Sequence, residues 1–263
     1  MKLTHEPLSR RQNVLYGAVG VLGTAAVAEL ILRSGLIDTP GLPVPSGVLE
    51  GVGSLLADTT FWNELLFTLG EWMLALLMAV VVGVVVGALM GAFRPVFTAL
   101  EIPVEVFRVL PSIAVGPILV IMLGSGVLPL SVTIALSCVW PILLNTMYGV
   151  RATDVTAVQT ARTFGKGPLE IVRQIKIPSA LPFAFTGIRT AASIGLIVAV
   201  SAELLIGNGR GIGGYILLNS TNASNLNLVY AATLVAGILG VLVNALLSMV
   251  DHKFFAWKKG LAQ

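Results

Sequence analysis

The sequence is short of charge, of cysteine and of histidine. Of its 263 residues, 11% are Asp, Glu, Lys or Arg and 56% are hydrophobic, whereas a soluble domain carries about 25% charged residues. Mean hydropathy is +0.93. These values exclude a soluble enzyme and a disordered chain. The single cysteine, Cys138, excludes an intrachain disulfide and a cysteine metal site. His5 and His252 lie near opposite ends, so no histidine metal cluster forms within one chain. An integral membrane enzyme needs a convergent polar set near one face. None is visible, so no catalytic and no metal-ligating residue is expected. The net charge of +3 points to cytoplasmic loops of a membrane protein rather than to a nucleic-acid partner.

Long apolar runs fill the space that charge leaves. About 20 apolar residues span a bilayer, so this length holds roughly five or six spans and no soluble domain. The expected fold is all-α: one polytopic transmembrane domain over 1–263, with spans near 14–33, 65–93, 102–123, 130–148, 183–206 and 228–250. The first run also resembles a signal peptide, with a basic start and an Ala-x-Ala step at Ala26–Ala28. Its length and the following Glu29 favour a retained span. Residues 44–58 follow Pro40, Pro43 and Pro45. There Ser46 fits a helix N-cap, and Val48, Val52, Leu55 and Leu56 repeat at helical spacing. This is expected to be an external amphipathic helix lying on the membrane face. Of the 16 Lys and Arg residues, only Arg33 and Arg210 fall on one side of these spans. The positive-inside rule then places both termini in the cytoplasm.

Polar and helix-breaking residues inside the spans are candidates for a pathway. Pro103, Pro111 and Pro117 interrupt the third run, making it a candidate pathway wall, with Arg108 one turn before Pro111. Arg108 suits a passing anion or a lipid phosphate. Asn145, below Pro141, suits a pathway hydrogen bond or a tie between helices. Glu203 stands directly before a glycine-rich loop and suits either a gate or a structural contact. Glu29 and Glu71 are expected to be structural, by snorkelling or ion pairing. Gly83, Gly87 and Gly91, four apart, form a ridge for close helix packing. Cys138 is expected to pack. Trp62 and Trp257 sit near the expected interfaces.

The polar stretch 154–178 carries the most pattern. Asp154 opens a short helix that Gly165 can end in a left-handed turn. Pro168 suits the first position of a second helix, and Pro178 is expected to stop it. The result is a helix-turn-helix, either packed on its own bundle or projecting as a rigid knob into a partner. Gln159-Thr160-Ala161-Arg162-Thr163-Phe164-Gly165, followed after nine residues by Ile175-Lys176-Ile177-Pro178, resembles the EAA motif of the permease subunits of ABC importers. Ala161, Gly165, Ile175 and Pro178 match that motif in register. Gln159, Thr160 and Ile177 replace its Glu, Ala and Leu. Leu42-Pro43-Val44-Pro45-Ser46, Val109 to Ala114, Trp140 to Thr146, Gly187-Ile188-Arg189 and Ala202-Glu203-Leu204 are similar to stretches in the nitrate, taurine, aliphatic sulfonate and bicarbonate permeases of that family.

The resemblance implies a permease subunit in the bacterial inner membrane, paired with a second permease chain, most simply an identical copy. Two ATP-binding subunits would lie below and an extracytoplasmic substrate-binding protein outside. It implies a coupling role for Gln159, Thr160, Ala161, Arg162, Phe164, Gly165, Ile175 and Pro178. It implies a small organic or inorganic anion as solute, and no cofactor in this chain. The sequence has no Gly-x-x-x-x-Gly-Lys-Ser/Thr loop, so ATP and Mg would be bound by the partner ATPase. A self-contained secondary transporter or channel is the alternative. It would carry inverted repeats and a midplane polar cluster, neither of which the sequence displays.

Overall fold

The structure, a computed structural model, describes residues 9–36, 41–221 and 225–254. Every regular element among them is helical. Helix α1 (Arg10–Arg33) precedes α2 (Pro45–Ala57), α3 (Thr59–Ala92), α4 (Arg94–Phe107) and α5 (Ser112–Leu123). Then come α6 (Val127–Arg151), α7 (Val155–Thr163) and α8 (Pro168–Ile171). A π-helical turn (Val172–Lys176) leads into α9 (Ile177–Ile206), followed by α10 (Gly211–Ser220) and α11 (Leu226–Phe254). Five helical segments are long and apolar enough to cross a bilayer, six if α4 and α5 make one broken span. Trp257 and residues 1–8 lie outside the described residues.

Small side chains determine which helices form the centre. Trp72, Ala75 and Ala79 of α3 pack with Ile134, Cys138 and Ile142 of α6 and with Ala191, Ala192 and Ala199 of α9. In lipid there is no water to drive helices together, so close backbone approach and dispersion hold them. The ridge Gly83, Gly87 and Gly91 of α3 meets Ile142, Leu143 and Val150 of α6. Gly187 of α9 meets the Pro141 carbonyl and Ile142 of α6. Gly195 of α9 faces Cys138 and Trp72, and the Trp72 indole N–H donates to the Ala192 carbonyl at 3.0 Å. The α1 span stands at the periphery, its apolar stretch unburied by the chain itself, whereas α11 buries Ala231 and Ala232 near its start.

Three expectations are corrected here. Of the three prolines expected to interrupt the run 102–123, only Pro111 stands at a break: α4 and α5 meet at 93°, with the break at Arg108–Pro111. Pro111 lacks an N–H and forces Leu110 away from helical geometry, whereas Pro103 and Pro117 stay within their helices. Pro178 does not stop the second cytoplasmic helix. The Ile177 N–H donates to the Val172 carbonyl, and this wider turn carries the helix past a residue with no N–H to give. The fifth long helix therefore starts well before 183. Ser46 is not the N-cap of α2, which is Val44. Instead the Glu29 carboxylate of α1 accepts the Ser46 N–H at 2.9 Å and its hydroxyl at 2.8 Å, while pairing with Arg33 at 2.6 Å. The buried face of α2 is Gly47, Gly51 and Leu55, with Gly51 against the Asn227 carbonyl of α11. The helix docks on the bundle by its glycines, and Leu56 is exposed.

Candidate functional site

Two polar assemblies occupy opposite ends of the bundle. At one end, Asp154 caps α7 by accepting the Thr156 N–H at 2.8 Å. The helix ends in a Schellman turn: the Lys166 N–H donates to the Ala161 carbonyl at 3.1 Å and the Gly165 N–H to the Arg162 carbonyl at 2.9 Å. Gly165 has φ +76°, a left-handed conformation that glycine adopts without a Cβ penalty. Beyond the turn, the Glu170 carboxylate accepts the Gly167 N–H at 3.1 Å and begins α8. Ala161 and Ile171 are buried inside this hairpin. Gln159, Thr160, Arg162, Gly165 and Pro178 are exposed, and Ile175 is half-buried. Phe164 is 81% exposed. The hairpin thus turns most of the EAA-like residues away from its own bundle.

At the other end, three side chains from two long helices hold the start of α10. The first N–H groups of a helix have no partner within it. Here the Gly211 N–H donates to Glu64 Oε2 at 2.6 Å, the Ile212 N–H to Thr68 Oγ1 at 2.9 Å and the Gly213 N–H to Glu203 Oε2 at 2.7 Å. The Thr68 hydroxyl donates to Glu203 Oε1 at 2.5 Å, tying α3 directly to α9. Negative charge is favoured at a helix N-terminus, which suits both carboxylates. Arg210 completes the cap, pairing with Glu64 at 3.0 Å and lying 4.5 Å from the centre of the Phe67 ring. Gly211, at φ +78°, adjoins the Glu203 carboxyl so closely that a side chain there would overlap it. Glu71 is fully buried beside Glu203. Nearby, the Tyr215 ring meets Phe61 edge-on at 5.4 Å. Burial, together with Asp58 beside its hydroxyl, pushes the Tyr215 phenol up.

The other candidates are scattered rather than gathered. Arg108 ends α4 and pairs with Glu105 of the same helix at 2.6 Å, both partly exposed. Pro111 stands just before α5 at the 93° bend. Asn145 donates to the Pro141 carbonyl at 2.7 Å and lies where α6 touches Gly187. Glu203 alone belongs to a connected polar cluster, and its partners Glu64, Thr68 and Arg210 were not expected. Their signal is the spacing of Glu64, Thr68 and Glu71, which lie four and three residues apart on one face of α3.

The sequence matches the family model described as "Binding-protein-dependent transport system inner membrane component" over residues 79–255. It is 30% identical to the taurine transport system permease protein TauC of Escherichia coli K12, over 95% of this chain and 92% of that protein. It is 28% identical to a putative ABC transporter permease protein of Methanocaldococcus jannaschii, over 63% of this chain and 62% of that protein. Among solved structures, an inward-facing form of the MetNI methionine ABC transporter shares the fold, with a TM-score of 0.58 at 20% identity, covering 76% of this chain and 95% of that one.

Proposed function

Since the chain belongs to the family of inner membrane components of binding-protein-dependent transport systems, the permease subunits of ABC importers, we propose how it couples and what it carries. The α7–α8 hairpin faces the cytoplasm and seats in an ATP-binding subunit. A second copy of this chain and a second ATP-binding subunit complete the core, and a substrate-binding protein docks over α2 and α10. Both termini are cytoplasmic, in keeping with the distribution of Lys and Arg. ATP and Mg belong to the partner ATPase, and this chain makes and breaks no bonds. The solute is a small anion of the sulfonate type, for which the taurine permease relative is the support.

Within this scheme Gln159, Thr160, Ala161, Arg162, Phe164, Gly165, Ile175 and Pro178 form the coupling element, and Glu203 acts at the outer gate by holding α10. Pro111 and Arg108 shape the bend beside the pathway, and Asn145 packs against Gly187 where α6 meets α9. The observation that carries the reading is the 81% exposed Phe164 at a rigid Schellman turn. A large apolar side chain so presented on a polar hairpin suits a partner's pocket.

The test is affinity purification of the tagged chain from mild detergent, native and Phe164→Asp. The native chain is expected to bring down an ATPase and hydrolyse ATP, and the variant to lose both while remaining monodisperse. Equal recovery from both would refute the coupling role. A native chain that recovers no ATPase, yet transports alone in liposomes, would replace the whole reading with a secondary transporter.

A further inference from the structure

Arg189 lies deep in α9. At 1.5 Å per residue it is about 18 Å along the axis from Ile177 and about 25 Å from Ile206. No carboxylate among the described residues pairs with it. Its one side-chain partner among the described residues is Asn244 of α11, whose Oδ1 accepts the Arg189 Nε–H at 2.9 Å. An unpaired cation within a membrane helix is costly and marks a solute or ion path. With its oxygen turned to Nε, Asn244 has both amide N–H donors unused among the described residues, as are the terminal N–H groups of the guanidinium beside it.

The surroundings are polar on the same face. Thr186, Thr190 and Ser193 lie within one turn of Arg189, and their hydroxyls donate to the carbonyls of Pro182, Thr186 and Arg189. Together with Arg189, Asn244 and Ile194 they line a cleft of about 340 Å³ between α9 and α11. A cavity of about 470 Å³ adjoins it through Ser193 and Asn244, and extends past Ser201 to Thr68 and Ile212 beneath the start of α10. No acidic side chain lines either space. The guanidinium cleft thus shares a wall, Ser193 and Asn244, with a mostly apolar cavity that reaches the α10 cap.

We infer that this cleft is an oxyanion subsite, in which Arg189 and Asn244 together bind the sulfonate-like head of the solute as it passes along α9. The inference rests on the transport reading above and adds the residues that select charge. A guanidinium presents paired N–H donors that match two oxygens of one oxyanion. Asn244 fixes the guanidinium through Nε and adds a third donor direction. A lipid phosphate has the same chemistry, so the test must separate the two.

The probe is methanesulfonate, whose methyl signal reports binding by saturation-transfer NMR, titrated onto the full chain in maltoside detergent. Tetramethylammonium serves as the cationic control. Two variants act in opposite ways: Arg189→Gln removes the charge, whereas Asn244→Asp keeps it but pairs it internally. Loss of a charge-assisted contact is worth about tenfold or more in Kd, and each variant is expected to weaken methanesulfonate binding by that factor. The control signal should stay unchanged. Because the variants are independent, the failure of one to fold leaves the other decisive. Equal binding by native chain and variants, or no binding by the native chain, overturns the subsite. Displacement of methanesulfonate by added phosphatidylglycerol overturns it in favour of a headgroup site, and an unchanged signal supports the solute. Capture of an ATPase without Arg189-dependent binding sinks the subsite alone. Binding without ATPase capture sinks the transport reading alone.

Discussion

The contact between α6 and α9 sets a sharp test at Gly187. A Cβ there would sit 2.7 Å from the Pro141 carbonyl oxygen and 2.9 Å from Ile142 Cα. Both atoms are backbone of α6, so no side-chain rotation relieves the clash. Restoring ordinary contact, about 3.4 Å on the criterion that separates tight from normal approaches, parts the helices by about 0.7 Å. Overpacking of this kind costs about 1–3 kcal/mol. Replacing a helical glycine by alanine returns about 1 kcal/mol of propensity. Because the obstacle is rigid backbone, the upper part of that range, about 2–3 kcal/mol, applies, and Gly187→Ala is expected to be destabilised by about 1–2 kcal/mol net. At about 2–4 °C per kcal/mol for a chain of this size, the melting temperature falls by about 2–8 °C. Gly70→Ala is the matched control, on α3 with nothing within 4 Å of the added carbon, and it should melt no lower than the native protein. The assay is thermal melting of detergent-solubilised protein followed by size-exclusion fluorescence. If Gly187→Ala melts at or above the native temperature, or Gly70→Ala falls as far, the close-packing argument is wrong.

Two further outcomes follow from the α10 end. Glu203→Ala orphans the buried Gly213 N–H, while the Thr68 hydroxyl can turn to the Glu64 carbonyl, 3.2 Å away. The loss is about 1–3 kcal/mol, read as a lower melting temperature and faster protease nicking beside α10, and Glu203→Gln should keep most of the native behaviour because it retains an acceptor. Tyr215 ionises less readily in the folded chain than in the unfolded one. Its contribution to stability is therefore complete below the unfolded phenol value near 10 and is lost as pH rises through the folded value. The melting temperature should fall more steeply with alkali in the native chain than in Tyr215→Phe, measured by melting between pH 8 and 11.

The membrane class and the hairpin were legible because each is encoded locally. Twenty apolar residues announce a span, and Asp154, Gly165 and Pro168 each punctuate a helix by their own chemistry. The bend was not legible, since Pro103, Pro111 and Pro117 look alike in sequence and only Pro111 breaks the chain. Continuation past Pro178 was hidden because a proline reads as a stop unless a π turn precedes it. The α10 cap was hidden by distance: Thr68 and Glu203 are 135 residues apart, and no local pattern pairs them. Ser46 was read as a local cap, whereas its partner is Glu29, 17 residues earlier on another helix.

The uninterrupted helical path from Pro168 to Ile206 has a mechanical meaning. Its 39 residues make a shaft about 58 Å long at 1.5 Å per residue. The hairpin's second helix is its foot, the arginine cleft lies part-way along, and the Glu203 cap is its head. Prolines at 178 and 182 do not hinge it into separate pieces. Gly187 and Gly195 pack its middle against α6 and Trp72 of α3, so in the transport scheme proposed above a tilt imposed at the foot would pivot there and displace the Thr68–Glu203–Gly213 bonds at the head more than the cleft. Such a lever would deliver its largest displacement at the proposed gate and its smallest at the proposed oxyanion subsite.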